Sequence, residues 1–152
     1  MMKKILLALF LFIGTITIQA QEIKWISLEE AMARQKKAPK PIFINVYTDW
    51  YAPCKMLDKE TFHDATFVDF INKYYYAVKF NAEGDSQINY LGINYDNPGF
   101  DASRKGRNSA HEFTKMLKVQ GYPSIYIIDK QGDFQNPIIG YKTANELLNE
   151  LK

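Results

Sequence analysis

The 152-residue sequence has one cysteine and two histidines, so several kinds of site lack their ligands. Cys54 has no partner for an internal disulfide, which excludes a disulfide-stapled fold. His63 and His111 fall in different predicted helices, and neither has a second ligand at metal-binding spacing. We therefore expect both histidines to lie at the surface, and we expect no metal and no cofactor.

Net charge is also small, at +2. The first 20 residues have a basic start at Lys3 and Lys4, an apolar run over 5–18, and a small residue at Ala20. This layout predicts a signal peptide over residues 1–20; the alternative is an uncleaved anchor helix, for which the apolar run is short. The segment contains two lysines and no acid, so 17 basic and 17 acidic residues remain after it. We therefore expect a periplasmic or secreted protein that binds neither nucleic acid nor, once cleaved, a membrane.

The remaining chain alternates strand-like and helix-like segments, which predicts one α/β domain over residues 21–152. Its central sheet should be mixed, with about four to five strands flanked by helices and an antiparallel hairpin near the end. A polar, glycine-containing segment over 81–107 predicts a long insertion loop. The predicted strands are 24–26, 41–49, 75–80, 124–129 and 137–141, and the predicted helices are 28–35, 54–62, 65–74, 109–119 and 144–151.

Three features, in this order, resemble the thioredoxin-like proteins. They are "VYTDWYAPCKMLDKETF" over 46–62, "VQGYPSIYIID" over 119–129, and the closing hairpin with its helix. The sequence around Cys54 is most similar to the corresponding sequence of exported disulfide reductases. The resemblance implies a redox-type helix start after the second strand and a cis peptide bond before Pro123. It also implies that the insertion precedes the helix leading to that proline.

Two positions depart from the pattern that the resemblance implies. Cys54 matches the second cysteine of the family's Cys-x-x-Cys motif, and Tyr51 stands in place of the attacking one. Asn45, nine residues before Cys54, replaces a buried carboxylate that often accepts a proton in the family. Because a tyrosine cannot form a disulfide, a dithiol cycle within this chain is impossible. The degenerate motif leaves enzyme activity open.

Three interpretations of Cys54 remain: a monothiol exchange catalyst, a link between two chains, or a buried packing residue. The resemblance implies that six residues converge on a surface that receives an extended polypeptide. That surface would be a groove with aromatic anchors that binds an extended polypeptide or a partner protein, or a remnant whose rings shield the helix end. The six residues, called the groove below, are Trp50, Tyr51, Ala52, Pro53, Tyr122 and Pro123.

Overall fold

A computed structural model describes residues 20–152; the predicted signal peptide lies almost wholly outside that range and stays a prediction. The described chain alternates strands and helices as the sequence predicts. The strands are β1 (Trp25–Ile26), β2 (Ile42–Tyr47), β3 (Tyr76–Asn81), β4 (Ile88–Tyr90), β5 (Ile93–Tyr95), β6 (Ser124–Ile128) and β7 (Ile138–Ile139). The helices are α1 (Leu28–Lys37), α2 (Ala52–Lys59), α3 (Ala65–Tyr74), α4 (Glu112–Met116) and α5 (Ala144–Leu151), with a 3-10 turn at Thr61–His63.

The main sheet has five strands in the order β1-β3-β2-β6-β7. β2 pairs in parallel with β3 and antiparallel with β6, so the sheet is mixed and β2 occupies its centre. β6 and β7 form the expected antiparallel pair. The central position explains why β2 is almost continuously apolar, since both of its faces are covered.

Each face of the sheet has its own core. Ile44 of β2 belongs to a cluster with Phe80 and Phe113, whereas Phe43 belongs to a cluster with Phe67 and helix α5. Alternate residues of a strand point to opposite faces. Asn45 therefore shares the face of Phe43, which is the face that α2 and α3 cover.

Capping residues fix where the helices begin. Ser27 and Thr143 accept hydrogen bonds from the backbone N–H groups of Glu30 and Glu146, and Thr143 with Glu146 forms the predicted capping box. Three predicted helices have different bounds, and the first of them, α1, extends two residues beyond its predicted end, to Lys37. The segment 54–62 begins at Ala52 and breaks into a separate 3-10 turn after Glu60, and the segment 109–119 shortens to α4.

The structure corrects two expectations about the insertion and the histidines. The segment 81–107 is not a plain loop, because it starts inside β3 and contains the β4–β5 hairpin. His63 is exposed, as predicted, but the surface placement of His111 is wrong. The His111 ring is fully buried, where its Nδ1 accepts the N–H of Phe113 at 3.0 Å and caps α4, and its Nε2 contacts the Ser86 carbonyl at 2.7 Å. Both ring nitrogens of His111 are used, one to cap α4 and one to contact the insertion, so His111 has a structural role.

Candidate functional site

The candidate site begins where β2 ends and α2 starts. Tyr51 is the N-cap of α2 and Pro53 is its second residue, a first-turn position that does not need a backbone N–H. The Tyr51 carbonyl accepts the N–H groups of Cys54 at 3.1 Å and Lys55 at 3.3 Å. This turn directs the Lys55 side chain to solvent and buries Cys54 under the helix.

The thiol of Cys54 is shielded, with 4% of the residue exposed. Burial raises its pKa above the usual value, and the backbone and hydroxyl of Thr48 lower it by less. The Thr48 hydroxyl makes no hydrogen bond of standard geometry, so its effect on the pKa of Cys54 is weak. The thiol is therefore protonated at neutral pH. A protonated, shielded thiol is a poor nucleophile, although it stands in the first turn of a helix.

A polar cavity of about 320 Å³ lies beside Cys54 and is also lined by Asn45, Thr48 and Lys79. The Oδ1 of Asn45 and the Oγ1 of Thr48 are buried there without a hydrogen-bond partner in the described chain. The ammonium of Lys79 pairs with the Asp58 carboxylate and lies 5.3 Å from the centroid of the Trp25 ring. The cavity thus brings Asn45, Thr48 and Lys79 together with the sulfur on one side of α2.

Trp50 and Tyr51 form an aromatic pair at the start of α2, with ring centroids 5.4 Å apart. Tyr51 is 37% exposed, so an accessible ring occupies the position where the attacking thiol would be expected. The indole Nε1–H of Trp50 donates to Glu83 Oε2 at 2.8 Å, and the Arg107 guanidinium lies 5.0 Å from its ring centroid. The same Glu83 oxygen accepts the Asn108 N–H at 2.8 Å. Glu83 therefore joins the motif to the insertion.

Tyr122 lies within electrostatic range of Glu83 and Arg107, the two residues that contact Trp50. Its pKa is raised, first by burial and then by the charges of Glu83 and Cys54, while Arg107 lowers it. The Tyr122–Pro123 peptide bond is cis, and the Pro123 carbonyl accepts the Gly140 N–H at 2.7 Å. Within residues 20–152, no hydrogen bond uses the backbone N–H or C=O of Tyr122. These two backbone groups are therefore unpaired within the described chain.

The predicted groove residues differ in accessibility. Tyr51 and Ala52 are exposed, Trp50, Pro53 and Tyr122 are half-buried, and Pro123 is buried. Sequence reasoning did not identify Glu83, Arg107 or Thr48 as members of the site. The position of Thr48, immediately after the central strand, is a signal that could have found it. Glu83 and Arg107 gave no such signal, because their roles arise from contacts between distant segments.

Two further observations concern the described chain as a whole. No group of three or more His, Cys, Asp or Glu side chains in residues 20–152 could hold a metal ion. Over the same residues, every helix is too short or too polar to cross a membrane.

Solved structures with this fold cover most of the chain. The solution structure of a putative disulphide-isomerase from Bacteroides thetaiotaomicron has 26% identity and a TM-score of 0.60, covering 88% of this chain and 93% of that one. The DsbH oxidoreductase has 18% identity and a TM-score of 0.59, covering 91% and 88%. The reduced C-terminal domain of DsbD from Neisseria meningitidis has 19% identity and a TM-score of 0.50, covering 81% and 90%.

A shorter similarity joins the chain to curated proteins. The thiol:disulfide interchange protein DsbD of Vibrio vulnificus strain CMCP6 is 43% identical over 37 residues, which are 24% of this chain. The match spans only 6% of the length of that relative. A family model described as a thioredoxin-like domain matches residues 28–152, nearly the whole described chain. The chain therefore belongs to the thioredoxin-like domain family.

Proposed function

We propose that this protein is an exported thioredoxin-like protein, periplasmic or secreted, that binds extended polypeptide at the groove. It would not run a dithiol cycle of its own. The observation that carries the proposal is the unpaired backbone of Tyr122 together with the accessible ring of Tyr51, which packs against Trp50. An extended peptide needs both kinds of contact: backbone hydrogen bonds along its length and aromatic rings against its side chains.

The chemistry at Cys54 favours binding over catalysis. A disulfide cycle within one chain needs a second sulfur, and the sequence has none. The remaining thiol is buried, and its pKa is raised. Holding a client by rings and backbone groups requires neither an exposed sulfur nor a thiolate.

One observation favours the competing function, monothiol exchange. The polar cavity of about 320 Å³ reaches Cys54, so a small disulfide or thiol has an approach to the sulfur. In that reaction the Cys54 thiolate would attack one sulfur of an external disulfide and release a thiolate. A second, external thiol would then resolve the mixed disulfide. A link between two chains through Cys54 is less compatible with the burial of the sulfur, because a disulfide requires Cβ atoms about 4 Å apart.

Binding is tested with the carboxamidomethylated insulin B chain, an unfolded polypeptide without free thiols, labelled for fluorescence anisotropy. We expect Tyr51→Ala and Tyr122→Ala each to weaken binding by about tenfold, because truncating an aromatic anchor costs more than 1 kcal/mol. Tyr74→Ala is the matched control, since Tyr74 is an exposed tyrosine in another part of the surface. Equal effects of all three variants, or no binding by the wild-type protein, would contradict the proposal.

Catalysis is tested by insulin disulfide reduction and by glutathionylation, comparing the wild-type protein with Cys54→Ser. We expect both proteins to behave alike in insulin reduction, and we expect the wild-type thiol to resist glutathionylation until the protein is unfolded. Turnover that disappears in Cys54→Ser would establish the monothiol enzyme instead. A covalent dimer under oxidant that Cys54→Ser abolishes would establish the linked dimer.

A further inference from the structure

A second cavity, of about 420 Å³, lies between the motif around Cys54 (46–62) and the insertion (81–107). Trp50 and Lys55 line it from the motif side, and Phe100 and Arg104 line it from the insertion. We call it the insertion pocket. Its volume falls in the range of sites that enclose a ligand group. Trp50 also belongs to the groove, so a polypeptide lying in the groove passes the mouth of this pocket.

The insertion that forms one wall is held firmly against the domain. The buried side chain of Asn97 donates to the carbonyls of Gly84 at 2.9 Å and Ser109 at 2.7 Å. The Cα of Gly99 is packed so closely that an added Cβ would lie 2.6 Å from the Ser109 hydroxyl. A wall fixed by buried hydrogen bonds and close packing presents the pocket in one shape before a ligand arrives.

The carboxylates of the insertion pocket already have partners. Glu83 Oε2 accepts the Trp50 and Asn108 N–H groups, and Asp49 Oδ2 accepts the Asn81 amide at 2.7 Å. Both acids are therefore occupied in holding the walls together.

The cations of the pocket are less occupied. Lys55 is exposed, and its ammonium makes no ion pair or hydrogen bond with the described chain. Arg104 has one distant partner, with its Nε 3.7 Å from Asp101 Oδ2, and both side chains are about half exposed. Its remaining N–H groups are free to bind a planar anion such as a carboxylate. The pocket therefore has cationic N–H donors without close partners, whereas its two carboxylates keep their charge and each use one oxygen to bind the walls.

We propose that the insertion pocket binds an acidic side chain, Asp or Glu, of the polypeptide held in the groove. The carboxylate contacts Lys55 and Arg104, and the methylene groups pack against the rings of Trp50 and Phe100. This inference rests on the proposed function and gives it a specificity: the preferred client has an acidic residue beside the segment that crosses Tyr122.

The test compares two fluorescent peptides: the carboxamidomethylated insulin B chain and the same peptide with its glutamates replaced by glutamine. Exposed ion pairs contribute about 0.2–1 kcal/mol each, so two of them predict roughly twofold to thirtyfold tighter binding of the glutamate form at low salt. Screening should reduce the difference at high salt. We expect Lys55→Gln and Arg104→Gln each to remove part of the preference, and the double variant to remove it.

Lys105→Gln is the matched control. Lys105 is an exposed cation adjacent in sequence to Arg104, and its loss changes the net charge by the same amount without touching the pocket wall. The inference is overturned if the wild-type protein binds both peptides equally, or if Lys105→Gln reduces the preference as much as Arg104→Gln. Equal binding of both peptides would leave the proposed groove intact, whereas no binding of either would overturn the groove and the pocket together.

Discussion

Restoring a second sulfur at position 51 tests the geometry of the site directly. Tyr51 is the N-cap of α2 and Cys54 is its third residue, linked by the bond from the Cys54 N–H to the Tyr51 carbonyl. Residues three apart on a helical turn have Cβ atoms about 5–6 Å apart, close enough for a disulfide after a small adjustment. We therefore expect Tyr51→Cys to form an internal disulfide with Cys54 under mild oxidant.

The expected magnitude follows from the short loop that the disulfide closes. The chain-entropy relation for a loop of four residues gives about 2 kcal/mol. For a domain of this size, that corresponds to roughly 6–10 °C in Tm. The loss of the Tyr51 ring and its contact with Trp50 is common to the oxidised and reduced forms, so it cancels when these two forms of one variant are compared.

The assay is thiol titration of the unfolded protein, followed by thermal melts of the oxidised and reduced forms. The double variant Tyr51→Cys with Cys54→Ser is the control, because it keeps the new thiol and cannot close the loop. Two thiols that remain titratable after oxidation, with identical melts, would show that position 51 does not face Cys54 as described. A disulfide that forms but lowers Tm would refute the magnitude while keeping the geometry.

Three other measurements follow from particular contacts. Asn97→Ala should lower the free energy of unfolding by about 1–3 kcal/mol in urea, because two half-buried carbonyls lose the donor that the buried Asn97 amide supplies. The exposed Asn136→Ala should change it by less than about 0.5 kcal/mol. Thr143→Ala should cost about 1 kcal/mol through the lost cap of α5, and Thr143→Ser should restore most of it; equal losses would remove the capping explanation. Because burial raises the pKa of Cys54, its share of the stability should be complete below the pKa of the unfolded thiol, about 8.5, and should be lost as pH rises through the higher folded value. Cys54→Ala should flatten that alkaline decline in urea melts, and an unchanged decline would show that other groups cause it.

Much of the fold could be predicted because local signals and burial agree. The apolar run around Phe43 indicates a strand covered on both faces, and β2 is the central strand. The bounds of α3 and α5 match the prediction because Asp64 and Thr143 cap them. Helix α4 is shorter than its apolar spacing predicts. His111 caps it late, and Lys118, with a φ of 54°, ends it early.

The candidate site could be predicted only at the two motifs that the sequence shows, around Cys54 and around Pro123. The start of α2 and the position of Cys54 were evident from the motif. The link from Glu83 to Trp50 and Asn108 was not, because it joins residues 25 or more apart through side-chain contacts. The burial of His111 was also missed. The sequence shows only a histidine beside an acid, which is usually a surface residue. Its contact with the Ser86 carbonyl exists only once the insertion is folded.

The pairing of Lys79 with Asp58 has an electrical consequence for position 45. Around the cavity beside Cys54, the carboxylates of Asp49 and Asp58 match the ammonium groups of Lys55 and Lys79, and Asn45 adds no charge. A carboxylate at position 45 would be 2% exposed in a cavity whose charges already cancel. An ionised acid there would find Lys79 already paired with Asp58 and Lys55 exposed to solvent, so desolvation would favour its protonated form. With Asn45 in place, the charges around the cavity therefore cancel. A carboxylate at position 45 could act as a proton acceptor only if Lys79 were also released from Asp58.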